Sequence, residues 1–122
     1  MTFLEAVASF EGFGKDPKNR PTRNNNPGNV SWGEFARRHG ATRIEDIPEG
    51  YKTTPRYAYF PDAKTGFAAM KARFSSGMYQ GLSVHDALHK WAPPVENDTA
   101  AYVRYVCQQV GCSPDTVIDE LL

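Results

Sequence analysis

Phe3, Leu4, Val7 and Ala8 recur at the spacing of one helix face, which predicts a helix over residues 2–12. Thr2 and Glu5 stand at capping-box spacing before it, and Gly12 and Gly14 supply the stop. The helical period is then lost. Residues 15–54 are rich in Pro, Gly, Asn and Arg, and Arg23, Asn24, Asn25, Asn26, Pro27, Gly28 and Asn29 form a dense run of turn chemistry. Asn29, Val30 and Ser31 are expected to start a short strand, residues 35–40 a helical turn, and residues 56–60 alternate as a strand does. The period returns at Asp62, a cap for a helix to about residue 80 with Phe67, Met70 and Phe74 inward and Gly81 at its end. Ser83 caps a short helix carrying Val84, Ala87, Leu88 and Trp91, which Pro93 and Pro94 break. Asn97 or Asp98 caps the next, with Tyr102, Val103, Val106 and Val110 at core spacing and Gly111 after it. Ser113 and Pro114 predict a last short helix with Val117, Ile118 and Leu121. The outline is α+β and mainly helical, in one domain over residues 1–122. An irregular loop and β insert covers residues 15–60, and a helical lobe covers 62–122.

Composition adds limits. Lys plus Arg and Asp plus Glu are 14 each, so the chain carries no net-charge footprint for nucleic acid or a membrane surface. The distribution is uneven. Lys15, Lys18, Arg20, Arg23, Arg37, Arg38 and Arg43 face only Asp16 and Glu34 over that stretch, whereas Asp115, Asp119 and Glu120 crowd the other end. The basic half suits either an anionic cell-wall polymer or plain solvation. Cys107 and Cys112 fit no zinc spacing; two reduced thiols are expected, with a local disulfide as the alternative. No run of about 18 apolar residues predicts a membrane span. No basic region followed by an apolar stretch predicts a secretory signal.

Glu11 is the first candidate for chemistry. It continues the stripe of Leu4 and Val7 at helical steps, which puts its carboxyl at the edge of the core. Desolvation and the negative end of the helix dipole both favour the protonated form. A general acid working near neutral pH needs that property. The alternative is a solvent-facing Glu at a frayed helix end. A hydrolase of the two-carboxylate kind needs a second acid about 5–10 Å away. Asp16, Asp62 and Asp98 are the candidates, each with a turn or capping role to weigh against it. The asparagine cluster suits sugar acetamido and hydroxyl groups, or merely shapes a loop. The stretch from Trp91 through Pro93, Pro94, Glu96, Asn97 and Asp98 to Thr99 kinks the chain ahead of a helix N-terminus. His85 and His89 are four apart on one helix but lack the intervening Glu of a zinc-protease helix, and no metal site is expected.

Taken in order, Glu11, Gly12 and Phe13, the run from Arg23 to Asn29, Phe60 and Pro61 with Gly66, and Trp91 to Thr99 with Tyr102 resemble a family of lysozyme-like proteins of phages, prophages and bacteria. Its members are described as lytic transglycosylases or virion structural proteins. The resemblance spans residues 3–111. It implies a catalytic glutamate at a helix end, a small β region beside it and a helical lobe across a cleft. Glu11 is then the catalytic residue. Asn25, Asn26, Asn29 and Tyr59 line one wall, and Asn97, Asp98, Thr99 and Tyr102 the other. The implied reaction cuts peptidoglycan strands between N-acetylmuramic acid and N-acetylglucosamine, giving a 1,6-anhydro product and needing no cofactor or metal. A hydrolytic muramidase and a non-catalytic peptidoglycan-binding part of a virion or secretion machine are the alternatives. The expected partner is the glycan strand, met by a monomer in the periplasm, at the cell wall or as a virion component, after synthesis in the cytoplasm. No nucleic acid and no membrane insertion are expected.

Overall fold

A computed structural model describes all of residues 1–122. It is mainly helical: α1 Phe3–Phe10, α2 Arg20–Arg23, α3 Glu34–Arg38, α4 Ala63–Phe74, α5 Val84–Trp91 and α6 Thr99–Val110, with a 3-10 turn at Ile118–Glu120. The strands β1, Arg43–Ile44, and β2, Ala58–Tyr59, pair antiparallel, Arg43 with Tyr59 and Ile44 with Ala58. The α+β, mainly helical class stands. No helix is long and apolar enough to cross a membrane. The chain divides into two compact units, residues 1–10 with 71–122, and residues 11–70.

In the first unit α1 and α5 each pack on α6. The capping box forms: Thr2 N–H donates to Glu5 Oε1 at 2.8 Å, and Glu5 N–H to Thr2 Oγ1 at 3.2 Å. Phe3, Val7, Phe74, Leu88, Tyr102 and Val106 are buried. Phe74 gathers Phe3, Tyr79 and Trp91 at ring distances of 5.1, 5.3 and 4.1 Å, each such pair adding roughly 1 kcal/mol to plain burial. Ser83 caps α5 and Asp98 caps α6, accepting the N–H of Asp86 and Ala101. Gly111 ends α6 at φ 79°.

Three expectations change here. α1 stops at Phe10 because the chain turns at once into Gly12, at φ 93°. The helix from Asp62 stops at Phe74, short of residue 80. Ser76 turns its N–H and Oγ back on the Arg73 carbonyl, and Gly77 follows. The last helix is only the 3-10 turn. Residues 114–116 instead form a turn and Val117 a single bridge to Ser83, and the Thr116 and Pro114 carbonyls accept the otherwise free N–H groups of Val84 and His85 at the start of α5.

The second unit has its own core of Val30, Ala36, Ala58, Phe60 and Ala69. The strand expected at Asn29, Val30 and Ser31 is a single bridge, Ser31 to Tyr57, because Asn29 sits at φ 47° and leaves no extended lead-in. Gly66, in the first turn of α4, has no room for a side chain. A Cβ there would stand 2.0 Å from the Asn25 carbonyl oxygen and 2.9 Å from Pro27 Cδ. That contact locks the asparagine loop against α4.

Candidate functional site

Glu11 is the first residue beyond α1 and is half-buried. Its turn is tied on both sides. Asn19 Nδ2 donates to the Gly12 carbonyl at 2.7 Å, while Asn19 Oδ1 caps α2 by accepting the Thr22 N–H. Gly14 N–H donates to Thr22 Oγ1 at 2.9 Å. Phe13 packs edge-on against Phe67 of α4, with ring centroids 5.5 Å apart. The backbone beside Glu11 is therefore fixed by α2 and α4 together. Asn19 had no place among the expected site residues. Its only sequence signal is an Asn two residues before a proline, an N-cap ahead of a helix with early Pro.

The asparagine loop is mostly architecture. Asn24 is buried and donates to Glu45 Oε1 at 3.2 Å. Asn25, at φ 50°, donates to the Phe60 carbonyl at 3.0 Å. Asn26, expected as a substrate contact, is wholly buried. Its Nδ2 bridges the Val30 and Ala58 carbonyls, and its Oδ1 accepts the Val30 N–H. Its amide is spent on holding the loop to β2, and that expectation is corrected. Asn29 differs from its neighbours: its Oδ1 is buried with no partner, an acceptor left open. Tyr59 is half-buried and carries the Arg43 guanidinium over its ring at 4.0 Å.

The remaining expected residues lie in the first unit. Thr99 is buried and donates its hydroxyl to the Ala92 carbonyl, closing the diproline kink. Tyr102 is buried, stacks on Phe10 at 4.1 Å and reaches the Val7 carbonyl. Both hold the fold, and substrate contact by their side chains is corrected for the same reason as for Asn26. Asn97 and Asp98 stay exposed, Asn97 donating to the Pro93 carbonyl.

The acids considered as companions each have local work. Asp16 accepts the Lys18 N–H at 2.8 Å, Asp62 the Thr65 N–H at 2.8 Å and Asp98 the Ala101 N–H at 3.1 Å. The carboxylate that sequence reasoning missed is Glu45, buried to 2 % exposure. Arg20 bonds it at 2.8 and 2.7 Å, and the backbone N–H groups of Arg56 and Tyr57 at 3.0 and 2.9 Å. Burial pushes this carboxyl up, but Arg20, the two N–H groups and Asn24 outweigh it and hold it at about 2. Glu45 is thus an ionised structural anchor and no proton donor.

Cys107 and Cys112 are free thiols; burial first, and a bond with Cys112 next, push Cys107 up to about 11, which makes it a poor nucleophile. His85 and His89 stack at 4.0 Å, and nowhere do three potential ligand side chains gather around one point. No protein-family model matches the chain, and no curated protein sequence matches it.

Proposed function

We propose that this chain has a lysozyme-like fold and cuts peptidoglycan strands as a lytic transglycosylase, with Glu11 as acid and then base. The observation that carries the reading is the Glu11 turn. Directly after a half-buried glutamate that follows a helix, the backbone of Gly12 and Gly14 is held by Asn19 and Thr22, and Phe13 by a ring contact to α4. A surface glutamate at a frayed end needs no such bracing; a general acid must keep its place within a fraction of an ångström. Asn29, in the same unit, keeps a buried Oδ1 without a partner in the fold.

Glu11 donates its proton to the oxygen joining N-acetylmuramic acid to N-acetylglucosamine, and the C1–O bond breaks. The substrate's acetamido group bears the developing charge at C1. The carboxylate then takes the proton of the C6 hydroxyl, whose oxygen bonds C1. The products are a 1,6-anhydro sugar and a free hydroxyl on the leaving strand, and Glu11 ends protonated as it began. One carboxyl suffices for both steps. The local engagement of Asp16, Asp62 and Asp98, and the burial of Glu45 with both oxygens bonded to Arg20 and backbone N–H groups, favour this route over a two-carboxylate hydrolysis. The site of action is then the cell wall.

Glu11→Gln keeps the shape and removes the acid. It is expected to lower strand cleavage at least about 100-fold with the fold intact by circular dichroism. Mass spectrometry of the soluble products is expected to find anhydro-muropeptides. Reducing ends that carry an added water would establish a muramidase instead. Sedimentation with cell walls without cleavage at any pH would establish a binding part.

A further inference from the structure

The second unit contains a cavity of about 310 Å³ between α2 and the segment around Tyr51, with Asp16, Lys18, Asn19, Arg20 and Arg23 in its walls. We propose that this cavity is a carboxylate subsite that takes a free carboxylate of the stem peptide carried by the glycan strand. The inference rests on the reading of Glu11 given above and adds a second point of recognition to it.

Charge comes first. Lys18, Arg20 and Arg23 supply three cations. Asp16 in the wall and Glu45, paired with Arg20 at 2.7 Å and with Arg23 at 3.5 Å, supply two anions. One positive charge is left over, which matches a carboxylate better than a phosphate dianion.

The two arginines are also held in place before any ligand arrives. Arg20 is fixed by Glu45 and by the Thr54 carbonyl at 3.2 Å. Arg23 donates to the Lys18 carbonyl at 2.9 Å and lies over the Tyr51 ring at 5.9 Å. Ordering such side chains on binding then costs little. Arg23 Nε is buried and has no partner. Arg23 lines the cavity, its buried Nε–H is a donor lacking its acceptor, and a carboxylate is the acceptor that arginine pairs with best.

Asn19 gives the cavity its place relative to the chemistry. It lines the cavity and at the same time donates to the Gly12 carbonyl, next to Glu11. The muramic acid whose linkage Glu11 would protonate carries its peptide on the same ring, so the two groups arrive together.

The test follows the Arg23 Nε–H signal in ¹⁵N-labelled full-length protein. The titrants are a synthetic stem tetrapeptide with free carboxylates, the same peptide fully amidated, and sodium acetate. The free-acid peptide is expected to shift the signal, with the amidated peptide silent and acetate needing far higher concentration. Lys18→Met removes an exposed charge outside the Glu45 network. It is expected to weaken the peptide about fivefold, and to lower kcat/KM on intact strands to a similar degree. Strands stripped of their peptides by an amidase are expected to be cut equally by both proteins. An Arg23 signal that ignores the free-acid peptide, or answers the amidated one equally, overturns the subsite even if Glu11-dependent cleavage is intact. An Arg23 response in a protein that cuts no strand supports the subsite and overturns the catalytic reading.

Discussion

Replacing Glu45 by Gln keeps its shape but leaves two arginines without a counter-ion. Arg20 and Arg23 are mostly covered, with side chains 22 % and 17 % exposed, so water only partly replaces the lost carboxylate. Breaking one side of a buried pair costs about 3–5 kcal/mol, and the residual exposure of the arginines trims that to about 2–4 kcal/mol here. Urea denaturation of Glu45→Gln against the parent measures it, and a loss below about 1 kcal/mol would show that the arginines find other partners. The same accounting separates Asn26 from Asn29. Asn26 has its amide satisfied inside the loop, whereas Asn29 keeps a buried acceptor open. Two identical side chains three positions apart therefore differ in how far the fold satisfies them.

The turn after α1 shows how an element holds a reactive group. Asn19 caps α2 with its oxygen and holds the Gly12 carbonyl with its nitrogen. Asn19→Ala removes both bonds. The cap is worth about 1 kcal/mol of stability. On the proposed function, freeing the Glu11 turn is expected to lower kcat about tenfold with KM nearly constant, because placement of the acid matters most in the transition state. Steady-state kinetics on purified strands check it; a rise in KM at constant kcat would assign Asn19 to binding. These elements also show what was legible in the sequence. The Thr2–Glu5 box, the caps Asp62, Ser83 and Asp98 and the stop at Gly111 work within a few residues of themselves, and local pattern predicts them. β1 was not legible. Arg43 and Ile44 are both exposed and carry no alternation, and they form a strand only because residues 58 and 59 come to lie beside them. Glu45 was missed for the same reason, since its partners lie 25 residues before it and 11 and 12 after it. Gly66 read as part of a motif, but its reason is a carbonyl contributed by another loop. In the candidate site, spacing put Glu11 in the last turn of the helix, whereas α1 ends at Phe10 and Glu11 follows it, and the burial of Asn26, Thr99 and Tyr102 depends on tertiary packing that spacing does not encode.

At the scale of the whole molecule, these groups set how stability follows pH. The Glu45 carboxyl has an ordinary value of 4.5 and is held at about 2 in the fold. The folded state therefore binds that proton less tightly than the unfolded chain. Above about pH 4.5 both states are ionised and the full contribution is present; it declines as pH falls from about 4.5 to 2 and is gone below. At about 1.4 kcal/mol per pH unit of displacement, the contribution is roughly 3 kcal/mol. Glu5 and Asp62, lowered by their bonds to Thr2 and Thr65, act in the same direction at the exposed starts of α1 and α4. The alkaline side has the opposite sign. Cys107, raised from 9.0 to about 11 by burial and by its bond to Cys112, holds its proton more tightly when folded. Its contribution is full below pH 9 and is lost as pH rises through about 11. Unfolding free energy measured in urea is thus expected to be level from about pH 5 to 9 and to fall on both sides. Glu45→Gln is expected to lower the plateau and flatten the acid limb, while Cys107→Ala flattens the alkaline limb and leaves the acid limb as it was. An acid limb that keeps its full slope in Glu45→Gln would assign the acid sensitivity to other carboxylates and remove Glu45 as the main anchor of the second unit.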